Sequence, residues 1–193
     1  RVVPPVIAEK KNAPETPREI TERMDVTQGK LSMGWRASTN DAPAMMLANL
    51  IFGGYSNSKL FLNVREKLSL CYYASSSYAR SKGIMTVSSG VEQKDYDRAV
   101  EEITRQLTAV QNGDWEDWEQ QGALQAMLSS LTSLPDSQSA LENYYLGQIA
   151  TDCDETPEQL ARALREVTKE RIMAAAQSAR LDTVYFLHGK EEA

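Results

Sequence analysis

The chain has 193 residues, enough to bury one hydrophobic core of its own. Its 41% hydrophobic and 25% charged residues are ordinary for a soluble globular protein and exclude collagen, a disordered chain or a disulfide scaffold. Its 21 basic and 27 acidic residues leave a net charge of −6, which repels a polyanion and argues against nucleic acid as a partner.

No apolar run approaches the roughly 20 residues that span a bilayer, and Arg1 to Lys11 lack the apolar stretch of a signal peptide. No membrane partner is expected, and the expected location is the cytoplasm. Cys71 and Cys153 are far apart and form no C-x-x-C, so they read as structural or incidental thiols. The chain opens on Arg1 and is Pro-rich from Pro4 to Pro17. Residues 1–19 therefore read as a linker from a preceding domain of a longer chain, and residues 20–193 as a single α+β domain.

In chain order, Leu31, Met33 and Trp35 alternate with Lys30, Ser32 and Arg36, which predicts a half-buried strand over Gly29 to Arg36. Asp41-Ala42-Pro43 opens a helix whose apolar residues run to a stop at Gly53-Gly54. Ser56 or Ser58 caps the next helix. There Leu60, Phe61, Val64 and Leu68 face inward, Lys59, Asn63 and Lys67 face solvent, and Arg65 lies one turn after Phe61. Leu70 to Tyr78 and Ile84 to Val91 predict two antiparallel strands joined by a turn at Ser81-Lys82-Gly83.

The second half reads as helical. Tyr96, Val100, Ile103, Leu107 and Val110 form one stripe that ends at Asn112-Gly113-Asp114, and Trp115 opens a second helix continued by Leu124, Met127, Leu128 and Leu131. Pro135-Asp136 starts a third helix carrying Leu141, Tyr144, Tyr145 and Ile149, and Thr156 to Gln159 form a capping box for a fourth. A helix over Lys169 to Ala179 precedes a last strand, Thr183 to His188. The expected fold is α+β, a mostly antiparallel sheet with helices packed on one face. A doubly wound α/β fold would need regular strand–helix alternation, which the second half lacks.

Asn49 to Ser76 contains, in order, Gly53-Gly54, Ser58-Lys59-Leu60-Phe61, Arg65-Glu66-Lys67 and Leu70-Cys71-Tyr72. This stretch resembles the C-terminal, zinc-free half-domain of the pitrilysin/insulinase-type metallopeptidases. That family includes pitrilysin, insulin-degrading enzyme, the mitochondrial processing peptidases and similar bacterial proteins. Gln28 to Leu31 with Gly34, and Val184 to Leu187, resemble its first and last strands, while Cys71 stands where a small Ala is common.

The resemblance implies that Arg65 and Tyr72 reach an active site completed by another half. An Arg can pair with peptide carbonyls, and a Tyr hydroxyl can donate to the oxyanion that develops at a scissile carbonyl. The two converge only if Leu68-Ser69-Leu70 doubles the chain back. Taken by spacing alone, Arg65 reads as covering a helix surface and Tyr72 as packing in the sheet, and it is the longer resemblance that reverses this.

The family's zinc motif, H-x-x-E-H, is absent, and His188 is the one histidine. No cofactor is expected in this domain. Zinc is expected only in a homologous N-terminal half or a zinc-bearing companion subunit, and a dimer is left open. The domain alone is not expected to be an enzyme, whereas the assembly would be a zinc-dependent endopeptidase with a peptide substrate. The alternative is a catalytically inactive, peptidase-like structural subunit. Glu101-Glu102 and Glu191-Glu192 read as solvated charge, Trp115 and Trp118 as core or as an aromatic patch, and Gly53-Gly54 as a helix stop rather than a phosphate cradle.

Overall fold

The computed structural model describes residues 10–189. Glu191-Glu192 and the Pro4 end of the Pro-rich stretch lie outside the described residues. Five strands form one sheet in the order β1-β5-β2-β4-β3, comprising β1 (Arg18–Arg23), β2 (Lys30–Ala37), β3 (Ala74–Ala79), β4 (Ile84–Gly90) and β5 (Ala179–His188). All neighbours are antiparallel except β1 with β5.

Period-two patterning dictates which face is buried. Leu31 lies opposite Phe186 and Ser89, Met33 opposite Val184 and Val87, and Trp35 opposite Met85, all buried. Ser32, Gly34 and Thr86 alternate to the other, less buried face. Onto the apolar face pack α1 (Ala42–Asn49), α2 (Tyr96–Asn112) and α6 (Lys169–Gln177), which supply Met45, Leu47, Ile103, Leu107, Ile172 and Ala175 to the same core. Each large side chain buried there contributes about 1.5–3 kcal/mol. The fold is therefore the α+β arrangement expected from the sequence.

Local signals place the remaining helices. Asp41 caps α1, accepting from the Ala44 N–H at 3.2 Å, and pairs through both carboxylate oxygens with Arg171 of α6 at 2.8 and 3.0 Å. The Arg171 guanidinium holds the Asp41 carboxyl below the usual carboxylate range. Gly113 ends α2 with φ of 77°, and Glu116 and Glu119 form a capping box for α3 (Asp117–Thr132). Thr156 and Gln159 do the same for α5 (Pro157–Arg165). Pro135-Asp136, expected to open a helix, lies instead in a single 3₁₀ turn, and α4 (Gln138–Ala150) starts one residue later behind Ser137, whose hydroxyl accepts from the Ala140 N–H.

β1 carries no alternation because all six of its residues are exposed, so periodicity could not find it, and it begins within the expected linker. Pairing with β5 holds it, together with Arg18 to Asp182 at 2.6 Å and the Tyr185 hydroxyl to Glu22 at 2.8 Å. Its charges blunt an open sheet edge. The β2/β5 register shifts between Gly34 and Trp35, which leaves Asp182 as an extra residue on β5. The Thr183 hydroxyl and the guanidiniums of Arg18 and Arg36 converge on it and hold its carboxyl far below the usual range.

Candidate functional site

The site is built where α1 ends and the chain turns back. After Asn49 the helix widens into a π-helical turn, Leu50–Gly54, and a second π-helix, Leu60–Lys67, carries Arg65. Gly53 is required by close approach, since a Cβ there would lie 2.5 Å from Leu60 Cδ1 and 2.9 Å from the Ser76 backbone nitrogen. The Ser76 hydroxyl in turn donates to the Asn49 carbonyl at 3.1 Å. The Gly-Gly pair thus ends the helix, as expected, and also lets it press against β3.

Ser58 caps the second π-helix, its hydroxyl accepting from the Phe61 N–H at 3.4 Å, and Leu60 and Val64 anchor it in the core. Lys59 is buried rather than solvated as its spacing suggests. Its ammonium lies 3.1 Å from the Glu119 carboxylate of α3, and the two side chains retain only 10% and 9% exposure. A buried Lys is tolerated because that carboxylate compensates its charge. The Tyr55 hydroxyl donates to the Glu119 carbonyl at 3.2 Å, so α3 buttresses the segment twice.

The Arg65 guanidinium lies 4.9 Å from the Phe61 ring centroid, one turn back, and 3.6 Å from the Glu66 carboxylate. Stacking fixes the guanidinium plane while the side chain keeps 42% exposure, leaving donors within reach of a ligand. The reversal follows at once. Ser69 adopts φ of 51°, its N–H donates to the Arg65 carbonyl and the Leu70 N–H to the Val64 carbonyl, both at 3.1 Å, and Leu70 is buried. Leu68, expected in the inward stripe, is exposed at this corner because the wider turn rotates it out.

Tyr72 does not lie on a regular strand. The spacing predicts a strand from Leu70, whereas β3 begins at Ala74. The ladder is nevertheless continued, since the Tyr72 N–H donates to the Gly90 carbonyl at 2.9 Å and the Gly90 N–H to the Tyr73 carbonyl at 3.2 Å. A Cβ on Gly90 would lie 2.7 Å from the Tyr73 ring, so glycine is what lets this aromatic pair cross the end of β4.

Arg65 and Tyr72 line one cleft of about 410 Å³ with Glu66, Ser69, Leu70, Cys71, Glu92 and Asp95. A second cleft of about 810 Å³ adjoins it, with Tyr72 and Glu92 in both linings. Sequence reasoning missed Glu92. The Tyr72 hydroxyl donates to Glu92 Oε1 at 3.0 Å, and Lys94 Nζ lies 2.7 Å from Glu92 Oε2. The hydrogen bond to Glu92 raises the Tyr72 phenol above its ordinary value, and Lys94 holds the Glu92 carboxyl below its own. Tyr72 therefore stands as a neutral donor. Burial pushes the Cys71 thiol up, so it too is neutral and a poor nucleophile.

His188 lines the adjoining cleft, and the other candidates fall outside both. His188 is buried, stacked 5.4 Å from Phe186, with Nδ1 2.8 Å from the Gly189 carbonyl oxygen. Among the described residues no three His, Cys, Asp or Glu side chains are grouped so as to hold a metal ion, and a single stacked His does not fit the family's zinc set. Trp115 is core, with Lys169 Nζ 4.6 Å from its ring, whereas Trp118 is exposed. Glu101 is solvated as expected, but Glu102 is buried because Arg105 and Gln106 occupy its carboxylate. No helix of the described residues is long and apolar enough to cross a membrane.

Arg65 and Tyr72 thus share one cleft beside the sheet, and among the described residues no group of three potential metal ligands accompanies them. Residues 3–127 match the model of the family described as Peptidase M16 inactive domain, and the chain belongs to that family. A Bacillus subtilis relative named "Probable inactive metalloprotease YmfF" is 38% identical over 92% of this chain and 42% of its own length. A conserved protein from Enterococcus faecalis superposes with a TM-score of 0.89 at 30% identity, over 97% of this chain and 45% of that one. The Peptidase M16 inactive domain from Pseudomonas fluorescens shares the fold, with a TM-score of 0.75 at 19% identity over 98% of this chain and 48% of that one. The chain thus spans less than half the length of each of these relatives.

Proposed function

We propose that this M16 inactive domain binds peptide and polarises its scissile carbonyl within a site completed by a homologous, zinc-bearing half or companion subunit. The observation that carries this reading is the convergence of Arg65 and Tyr72 on one cleft, by way of a π-helix and a strained reversal. π-Helical turns and residues held in unfavourable backbone regions cluster at functional sites. Arg65 would hold peptide carbonyls through paired hydrogen bonds, and Tyr72 would donate to the developing oxyanion. Zinc and the attacking water would come from the companion.

A companion is also supported by α4, which leaves Tyr145, Leu146 and Ile149 exposed together. A contiguous exposed apolar patch of this kind marks an interaction surface.

The test is cleavage of an unstructured peptide by the full-length protein with its zinc-bearing companion, with and without chelator. Chelator-sensitive cleavage is expected. Arg65→Ala and Tyr72→Phe are each expected to slow it, Tyr72→Phe by about 10²-fold, the usual effect of losing one oxyanion donor. Unchanged turnover in both variants would overturn the reading. It would favour a non-catalytic assembly subunit, the second reading, which the name of the B. subtilis relative supports.

A further inference from the structure

We propose that Glu92 is a positioning residue that latches Tyr72, so that the phenol becomes available to a peptide carbonyl only by exchanging Glu92 for it. The proposal rests on the reading of Tyr72 as a donor to substrate. A phenol carries one proton and can donate one strong hydrogen bond at a time. In the structure that bond goes to Glu92 Oε1, 3.0 Å away, at the point where the two clefts meet.

The pairing is built into the backbone. Tyr72 is tied to Gly90 by the last bond of the ladder, and Val91 is fully buried with its N–H donating to the Gly29 carbonyl at 3.0 Å. Glu92 follows directly, in extended conformation at the start of the 3₁₀ turn Gln93–Asp95. The two side chains are thus delivered to each other from the ends of adjoining segments, 20 residues apart in sequence. Lys94 occupies the other carboxylate oxygen at 2.7 Å, which keeps Glu92 ionised and turned toward the phenol. Tyr72 itself is 59% exposed, so its hydroxyl bond to Glu92 is a principal constraint on where the ring points.

Two consequences separate a latch from a residue that only supports the fold. Removing the charge while keeping the acceptor, as in Glu92→Gln, weakens the hold on Tyr72 and favours exchange with substrate. The benefit exists only while residue 72 has a hydroxyl. A double-mutant cycle in the full-length protein with its zinc-bearing companion, on an internally quenched unstructured peptide, reads this directly.

Glu92→Gln is expected to raise kcat/KM by about two- to fivefold, the range of exposed charge pairs, and to have no effect in a Tyr72→Phe background. A second readout needs no turnover: in NMR titrations of tyrosine Cζ, with the Tyr72 signal assigned by its loss in Tyr72→Phe, the phenol should ionise at lower pH in Glu92→Gln. If Tyr72→Phe slows cleavage but Glu92→Gln acts equally with and without the hydroxyl, the latch is overturned while the Tyr72 reading stands. An unmoved Tyr72 titration overturns it in the same way. If Tyr72→Phe leaves cleavage unchanged, both fall together.

Discussion

Ser69 shows how much of the site rests on one backbone angle. At φ of 51° it occupies the left-handed position that usually falls to glycine after a helix, and an L-residue there costs about 1–2 kcal/mol. Ser69→Gly removes that strain but frees the unfolded chain, so a net gain of about 0.5–1 kcal/mol is expected in chemical denaturation. A loss of stability would mean that the serine side chain contributes more than the strain it imposes. At this scale the sequence singles out Arg65 and Tyr72, because their spacing sits inside a run of short motifs, and the fold brings both to one cleft. The sequence is silent on Glu92, since nothing in the order of residues says that position 92 crosses the end of the strand beside position 72. Lys59 misled for a related reason: its charge reads as solvated until Glu119, on a helix far along the chain, is placed against it.

Among the elements, the two π-helices are what periodicity cannot disclose. The same apolar residues satisfy a helical stripe whether each turn closes at four residues or five, yet only the wider turn sends Leu68 outward and carries Arg65 to the cleft. The Gly53-Gly54 pair is legible as a stop, whereas its contact with β3 becomes visible only once the strand is in place. Two glycine substitutions separate these roles. Gly53→Ala forces a Cβ to within 2.9 Å of backbone and 2.5 Å of Leu60, and a loss of about 1–3 kcal/mol is expected. Gly147→Ala, within α4 and with open space around the added Cβ, should instead gain about 0.5–1 kcal/mol. Equal effects in urea melts would show that Gly53 matters only for helix propensity. β1 is invisible to periodicity because an exposed edge strand has no buried face to pattern, and the apolar residues of α4 do not by themselves say which side the rest of the molecule covers.

The molecule as a whole has one core between its helices and one face of the sheet, and it leaves a second apolar surface unburied along Leu141, Tyr145, Leu146 and Ile149 of α4. Leu146 and Ile149 are 61% and 54% exposed, so they contribute little to the fold of this chain. Surface of this kind persists when something else covers it. The relatives that match nearly all of this chain are more than twice as long, which makes a homologous half the occupant proposed here. Replacing both residues, Leu146→Asp with Ile149→Asp, should therefore change the unfolding free energy of this chain by no more than about 1 kcal/mol, the sum for two exposed sites. With a homologous half seated on α4 as proposed, the same pair would bury two carboxylates against apolar groups. It should detach the halves, exposing the segment between them to limited proteolysis and abolishing chelator-sensitive cleavage. Intact halves with full cleavage would show that the α4 face lies outside the interface. Loss of cleavage with the halves still joined would place it at the substrate instead.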